Sequence, residues 1–326
     1  MTADVLCLRP EADFQRLGVV PSPSLKIAYR APDDPDVPAL MKQARALIIP
    51  AVGPNLASEL FGGTTVQFVQ VTGAGVDRLD LTLLKRLGIS VANVPGGSNS
   101  ALAEYVVTAA SVLLRRFLWA DAEIRAGHYA DFRARMISDN LAGLEGLSAG
   151  IVGFGAIGLA VAEAFNRRAC KICYFDPSPR DPRAADALGA KSVSLDELLK
   201  ISDVVTLHVP LLPTTQGLIG ARQLAAMKPG AILIQASRGG IVDEAALAHS
   251  LTSGHLGGAA IDVYSTEPPP PNHPLLALRG EAARRILFTP HIAGATRQSS
   301  EFLFRSAWRN VERVLLQKEA PLYLVQ

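Results

Sequence analysis

Gly150-Ile-Val-Gly153-Phe-Gly155-Ala-Ile-Gly158 is the stretch that decides how this chain is read. Glycines at this spacing are common by themselves. Here they follow an apolar run and open an apolar helical stretch over residues 157–166, and an acidic residue, Asp176, ends the next apolar run at residues 171–175. In that context each glycine has a task. Gly153 allows a tight turn, Gly155 lets a pyrophosphate approach the backbone, and Gly158 lets the helix close on the strand. N–H groups at the helix start, from Ala156 and Ile157 onward, face the phosphates. A carboxylate at Asp176 accepts hydrogen bonds from ribose hydroxyls and repels a 2′-phosphate, which predicts NAD rather than NADP. Arg180 and Arg183, close downstream, soften that preference.

Further apolar runs follow at residues 203–208, 231–235, 258–262 and 285–288, with helical stretches such as 244–253 between them. That series suits a complete doubly wound dinucleotide domain. Upstream, runs at 26–30, 46–50, 66–71 and 90–94 alternate with helical stretches in the same way, which predicts a second α/β domain with its own parallel sheet. Pro95-Gly-Gly-Ser-Asn99 breaks the pattern. Residues 101–118 then read as one long, largely buried helix. Residues 299–317 read as a terminal helix with apolar positions at Phe302, Ala307, Val311 and Leu315.

Composition narrows the function classes. With 326 residues the chain is about two domains long, and 49% hydrophobic residues can fill their cores. Lys plus Arg number 32 against 30 for Asp plus Glu, which gives no support for a nucleic-acid surface. No apolar segment reads as a membrane span, and the N-terminus lacks a basic stretch followed by an apolar run, so a soluble cytoplasmic protein is expected. Three cysteines fit a reducing compartment. Cys170 and Cys173 have redox-motif spacing, but in a strand-like run they point to opposite faces too far apart for a disulfide. No second pair completes a zinc site, and no metal is expected.

Three polar residues fall just past strand ends, where such folds place chemistry: Arg238, Glu267 and His291. With them the chain resembles the D-isomer-specific 2-hydroxyacid dehydrogenase family, which includes glyoxylate/hydroxypyruvate reductases and phosphoglycerate dehydrogenases. The resemblance is carried by Gly73-Ala-Gly-Val-Asp77, Asn93-Val-Pro-Gly96, the glycine loop, His208-Val-Pro-Leu211, Ser237-Arg-Gly-Gly-Ile-Val-Asp243, Ala260-Ile-Asp-Val263, Glu267-Pro268 and Pro290-His-Ile-Ala293. It implies a Rossmann NAD-binding domain at residues 99–293, inserted into a flavodoxin-like substrate domain made of residues 1–98 and 294–326. It also implies a homodimer, through the long helix beginning near Ala101 and the arm through Gly146.

The resemblance further implies roles. Arg238 would hold the substrate carboxylate and carbonyl oxygen. His291 would protonate the 2-oxo oxygen as hydride arrives, and Glu267 would pair with it and orient it. Ala74 and Gly75 would offer backbone N–H groups to the substrate carboxylate. Asp262 would accept from the nicotinamide carboxamide. His208, Val209, Pro210 and Thr215 would line the adenosine and ribose side, and Ala236, Ser237, Arg238, His291 and Gly294 would complete the cofactor contacts. For His208, packing at a strand end is an equal alternative. Ala156 stands where the family often carries Arg. The Arg, Glu and His set also suits phosphonate (phosphite) dehydrogenases, and NAD(H)-sensing corepressors share the fold. Glu267 argues against formate dehydrogenases, which carry Gln beside the histidine. The sequence ends soon after the terminal helix, so a regulatory tail is not expected.

Overall fold

The computed structural model describes residues 3–178 and 182–325. Its contacts divide the chain into two compact units, one formed by the residues up to Ser98 with those from Ala295 onward, the other by Asn99–Gly294. Arg180 lies outside the described residues.

The first unit is built on five parallel strands: β1 (Val5–Cys7), β2 (Ile27–Tyr29), β3 (Ala46–Ile49), β4 (Phe68–Val71) and β5 (Ser90–Ala92). Their order is β2-β1-β3-β4-β5, the flavodoxin-like arrangement of a doubly wound sheet. Strands buried on both faces are apolar throughout, as in Ala46-Leu-Ile-Ile49. β1 lies inside this sheet, between β2 and β3, and the sequence reading missed it. The predicted strand at 90–94 ends at Ala92, because the Asn93 amide turns to donate to Ala74 O at 2.7 Å. The terminal helix runs over Arg297–Glu312 and closes in a wider turn, Arg313–Gln317. It is capped by Thr296, whose hydroxyl accepts from Ser299 N–H. It buries Leu303, Phe304, Ala307, Trp308, Val311 and Leu315, whereas Phe302, predicted on the buried face, is half exposed.

The second unit holds seven parallel strands: β6 (Ser148–Val152), β7 (Lys171–Phe175), β8 (Lys191–Ser192), β9 (Val204–Leu207), β10 (Ile232–Gln235), β11 (Gly258–Ile261) and β12 (Ile286–Phe288). The order β12-β11-β10-β9-β6-β7-β8 reverses direction between β6 and β9, the switch point at which such sheets bind ligands. Separate apolar clusters fill the two faces, one containing Cys173 and the other Cys170, so the two thiols are buried apart. β8 is a two-residue edge strand with both residues exposed, too short and polar to be read from sequence.

The predicted single helix over 101–118 is two helices, Asn99–Leu114 and Phe117–Arg125. Arg116 between them is left-handed, with φ 52° and ψ 40°. Its guanidinium pairs with Asp139 and lies over the Trp119 ring. No helix among the described residues is long and apolar enough to cross a membrane.

Candidate active site

The glycine loop leaves β6 at the switch point, and each glycine is required for a different steric reason. Gly153 has φ +94°, and a Cβ there would stand 2.6 Å from His208 O and 2.8 Å from Val209 Cγ1. Gly158 lies in the first turn of the helix Ala156–Asn166, where a Cβ would fall 2.0 Å from Gly153 O. At Gly155, by contrast, an added Cβ would meet nothing within 4 Å. Among the described residues, the open side of the turn is therefore at the second glycine. No side chain caps that helix, so its first N–H groups face the same opening. This cradle fits a pyrophosphate, and the residues that would hold it are Gly155, Ala156, Ile157 and Gly158.

Asp176 follows β7 and is fixed before any ligand binds. One carboxylate oxygen accepts from Phe154 N–H at 2.8 Å and the other from Ser178 N–H at 2.9 Å. Phe154 stacks on Tyr174 with centroids 3.9 Å apart, tying the loop to β7. Arg183 lies exposed in the helix Pro182–Ala187.

Beyond β9, His208 Nε2 is 2.9 Å from Thr206 Oγ1, and loss of water around the ring pushes its pKa down to about 3. It is a neutral group at the strand end. Val209 packs into the core behind Gly153, and Pro210 is exposed. The Thr215 hydroxyl donates to Pro210 O at 2.6 Å and accepts from Leu212 N–H at 2.8 Å, closing its own loop.

The remaining residues gather on the loops after β10, β11 and β12. Gln235 ends β10 and is buried. Its amide oxygen accepts from the Ser237 hydroxyl at 2.7 Å, and its amide nitrogen donates to Arg238 O at 2.8 Å. The Arg238 guanidinium donates to Ser237 O at 2.8 Å. Ala236 packs with Leu102 and Ala293. Gly239 then permits a close crossing of loops, since a Cβ there would overlap Tyr264 O at 1.8 Å. Gln235 was missed by the sequence reading, although a lone amide closing an apolar strand signals a buried polar group that needs partners.

His291 is the most constrained residue of this edge. Its φ is +55°, a region that a side chain of this size rarely occupies. Asp262, only 1% exposed, imposes it. The Asp262 backbone oxygen accepts from His291 N–H at 2.8 Å. Its carboxylate accepts from Ile292 N–H at 2.8 Å, Ala293 N–H at 2.9 Å and the Thr289 hydroxyl at 2.6 Å. Thr289 is in turn 2.7 Å from the Tyr105 hydroxyl, which burial pushes up to about 12 and so keeps protonated as a donor. Asp262 is thus an anchor of the His291 turn, a use that the predicted nicotinamide contact did not include. The imidazole meets Glu267, with Nδ1 at 2.9 Å and 3.1 Å from the two carboxylate oxygens. Nδ1–H donates to the carboxylate, which leaves Nε2 for exchange with a substrate. Gly294 ends this unit.

Ala74 and Gly75 belong to the first unit, in the turn after β4. Asn93 and Val94 fix this turn, the latter through its N–H to Gly73 O at 2.9 Å. A Cβ on Gly73 would stand 2.6 Å from the Ala51 Cβ, so the turn and the loop after β3 are in close contact.

A doubly wound unit with a glycine loop at its switch point and a paired His291 and Glu267 on its carboxyl edge defines a class of protein. Residues 107–293 match the family model described as D-isomer specific 2-hydroxyacid dehydrogenase, NAD binding domain. The chain is 38% identical over 227 residues to a D-3-phosphoglycerate dehydrogenase of Archaeoglobus fulgidus, across 70% of this chain and 41% of that protein. It is 32% identical over 288 residues to a glyoxylate reductase of Thermococcus litoralis, across 87% of this chain and 85% of that one. The crystal structure of a glyoxylate reductase from Paecilomyes thermophila superposes with a TM-score of 0.81 at 25% identity, covering 100% of this chain and 99% of the other. The chain belongs to the D-isomer-specific 2-hydroxyacid dehydrogenase family of NAD-dependent oxidoreductases, and NAD is its cofactor.

Proposed function

We propose that this protein reversibly reduces a small 2-oxo acid to the D-2-hydroxy acid, with His291 as general acid and base. The observation that carries this reading is the pairing of His291 Nδ1 with both oxygens of Glu267 on a turn held by Asp262. Bound NADH supplies the hydride. Glu267 orients the imidazole through Nδ1, and Nε2–H gives its proton to the forming alkoxide; in the reverse direction Nε2 takes it back. Arg238 presents paired donors to the substrate carboxylate. The family pattern assigns the backbone N–H groups of Ala74 and Gly75 to substrate binding, and with them residues 1–98 and 294–326 to a substrate domain and 99–293 to the cofactor domain. Asp176 selects NAD by accepting from the ribose hydroxyls.

Small substrates such as glyoxylate or hydroxypyruvate are favoured by the glyoxylate reductases among the relatives. The family pattern further suggests a homodimer, and Phe117, Leu118, Ile124, Tyr129 and Ile137 are exposed apolar groups that a second copy would cover. A monomer by sedimentation would contradict that assignment. The three buried thiols fit a reducing cytoplasm, and fractionation into another compartment would contradict it.

The test is NADH oxidation against glyoxylate, hydroxypyruvate, pyruvate, phenylpyruvate and phosphohydroxypyruvate, with product configuration determined. Formation of D-glycerate from hydroxypyruvate is expected. Turnover of phosphite with NAD, and of no oxo acid, would replace this reading by the phosphonate one. Tight NADH binding with no turnover of any substrate would favour a sensor.

A further inference from the structure

The loop that carries Glu267 is held from behind by polar groups that the acid–base pair does not include. Glu244 is the first residue of the helix Glu244–Thr252, and its side chain is 12% exposed. One of its oxygens accepts from Ser265 N–H at 2.9 Å, and the other accepts from the Ser265 hydroxyl. His273, only 4% exposed, brings Nε2 to 2.9 Å from that second oxygen, at an angle too bent for a straight hydrogen bond. Leu275 N–H donates to His273 Nδ1 at 3.4 Å, which leaves the ring proton on Nε2, facing the carboxylate.

The contacts continue toward the site. The His273 ring meets Tyr264 edge to face at 6.0 Å. Tyr264 N–H donates to Glu267 Oε1 at 3.1 Å, and the Tyr264 hydroxyl donates to Thr289 O at 3.0 Å, two residues before His291. Tyr264 therefore touches both supports of the acid–base pair, and Glu244 and His273 set Tyr264. Helix capping does not account for Glu244, because Asp243 already accepts from Ala245 and Ala246 N–H. Stability is a poor account as well. A desolvated carboxylate–imidazole pair contributes little net stability compared with apolar groups of the same volume, and what it supplies is direction.

We infer that Glu244 and His273 form a positioning pair that fixes Tyr264, and through it the alignment of Glu267 with His291. The inference rests on the proposed proton-transfer role of His291. Glu244→Gln keeps the shape but turns an amide N–H₂ toward a donor. His273→Phe keeps the ring against Tyr264 and removes Nε2–H. In the full chain with NADH and its preferred oxo acid, each variant is expected to lose about 10- to 100-fold in kcat, since misplacement by an ångström can cost this much. The KM for NADH should stay within about twofold, and the isotope effect with 4-deuterated NADH should rise as chemistry becomes limiting. The double variant should be no worse than the poorer single one.

A pair that only stabilises the fold would lower the melting temperature and leave kcat per folded enzyme and the isotope effect unchanged, which overturns the inference. A readout independent of turnover is the imidazole ¹⁵N spectrum with NADH bound, in which His291 is assigned by its loss in His291→Ala. Its resonances should move in Glu244→Gln, and unmoved resonances overturn the inference. If the unmodified protein reduces no oxo acid, the proposed function fails, and the spectrum alone decides the positioning pair.

Discussion

Two turns on the carboxyl edge of the seven-stranded sheet adopt backbone shapes that most residues avoid, and they keep them by opposite means. At Gly153, φ is +94° and the turn survives because side chains are missing; a Cβ there or at Gly158 would strike backbone. At His291, φ is +55° and the turn carries a large side chain. Left-handed backbone costs such a residue about 1–2 kcal/mol. The cost is offset by the bonds to Asp262, a residue on another loop. The first turn is made by local sterics and serves binding. The second is made by long-range hydrogen bonds and carries the residue proposed to transfer the proton. Damage to the two should therefore separate cofactor affinity from chemistry.

The largest expected effect on cofactor binding is at the glycine turn. Gly158→Ala places a methyl group 2.0 Å from Gly153 O, a contact with backbone that cannot move aside. NADH affinity should fall by about 100-fold or more, with a loss of stability at or above the ~3 kcal/mol upper end of ordinary overpacking. Calorimetry of NADH binding and a thermal melt check this, and unchanged affinity would mean that the helix start does not bind phosphate. A smaller, differently directed effect is expected from Asp262→Asn. The amide must face one of the donors that the carboxylate now accepts, at a cost of about 1.5–3 kcal/mol for each charge-assisted bond lost. Turnover should drop about 100-fold while NADH affinity falls by less than about tenfold. Equal losses in both would erase the distinction between the two turns.

The same contrast explains what could be read in advance. The glycine loop and Asp176 were legible because their requirements are local: a sharp turn, an open approach and a carboxylate at a strand end. Arg238, Glu267 and His291 could be placed past strand ends, and their grouping came from the resemblance and not from spacing. The supports were hidden. Nothing near Asp262 in sequence announces that its carboxylate will hold Thr289, Ile292 and Ala293, and nothing near Gln235 announces that its amide will shape the Ser237–Arg238 turn. The same limit affected the fold. β8 is only two polar residues long, and the Arg116 that breaks the helix pairs with Asp139, well outside any local window.

His291 is proposed to transfer the proton and to contribute little to holding the cofactor. Comparing unmodified protein with His291→Ala for NADH affinity and for turnover of the best oxo acid, in one preparation, tests this. Turnover is expected to fall by about 10²- to 10⁴-fold, with NADH affinity nearly unchanged. Turnover comparable to the unmodified protein would contradict it, and the proton would have to come from another group.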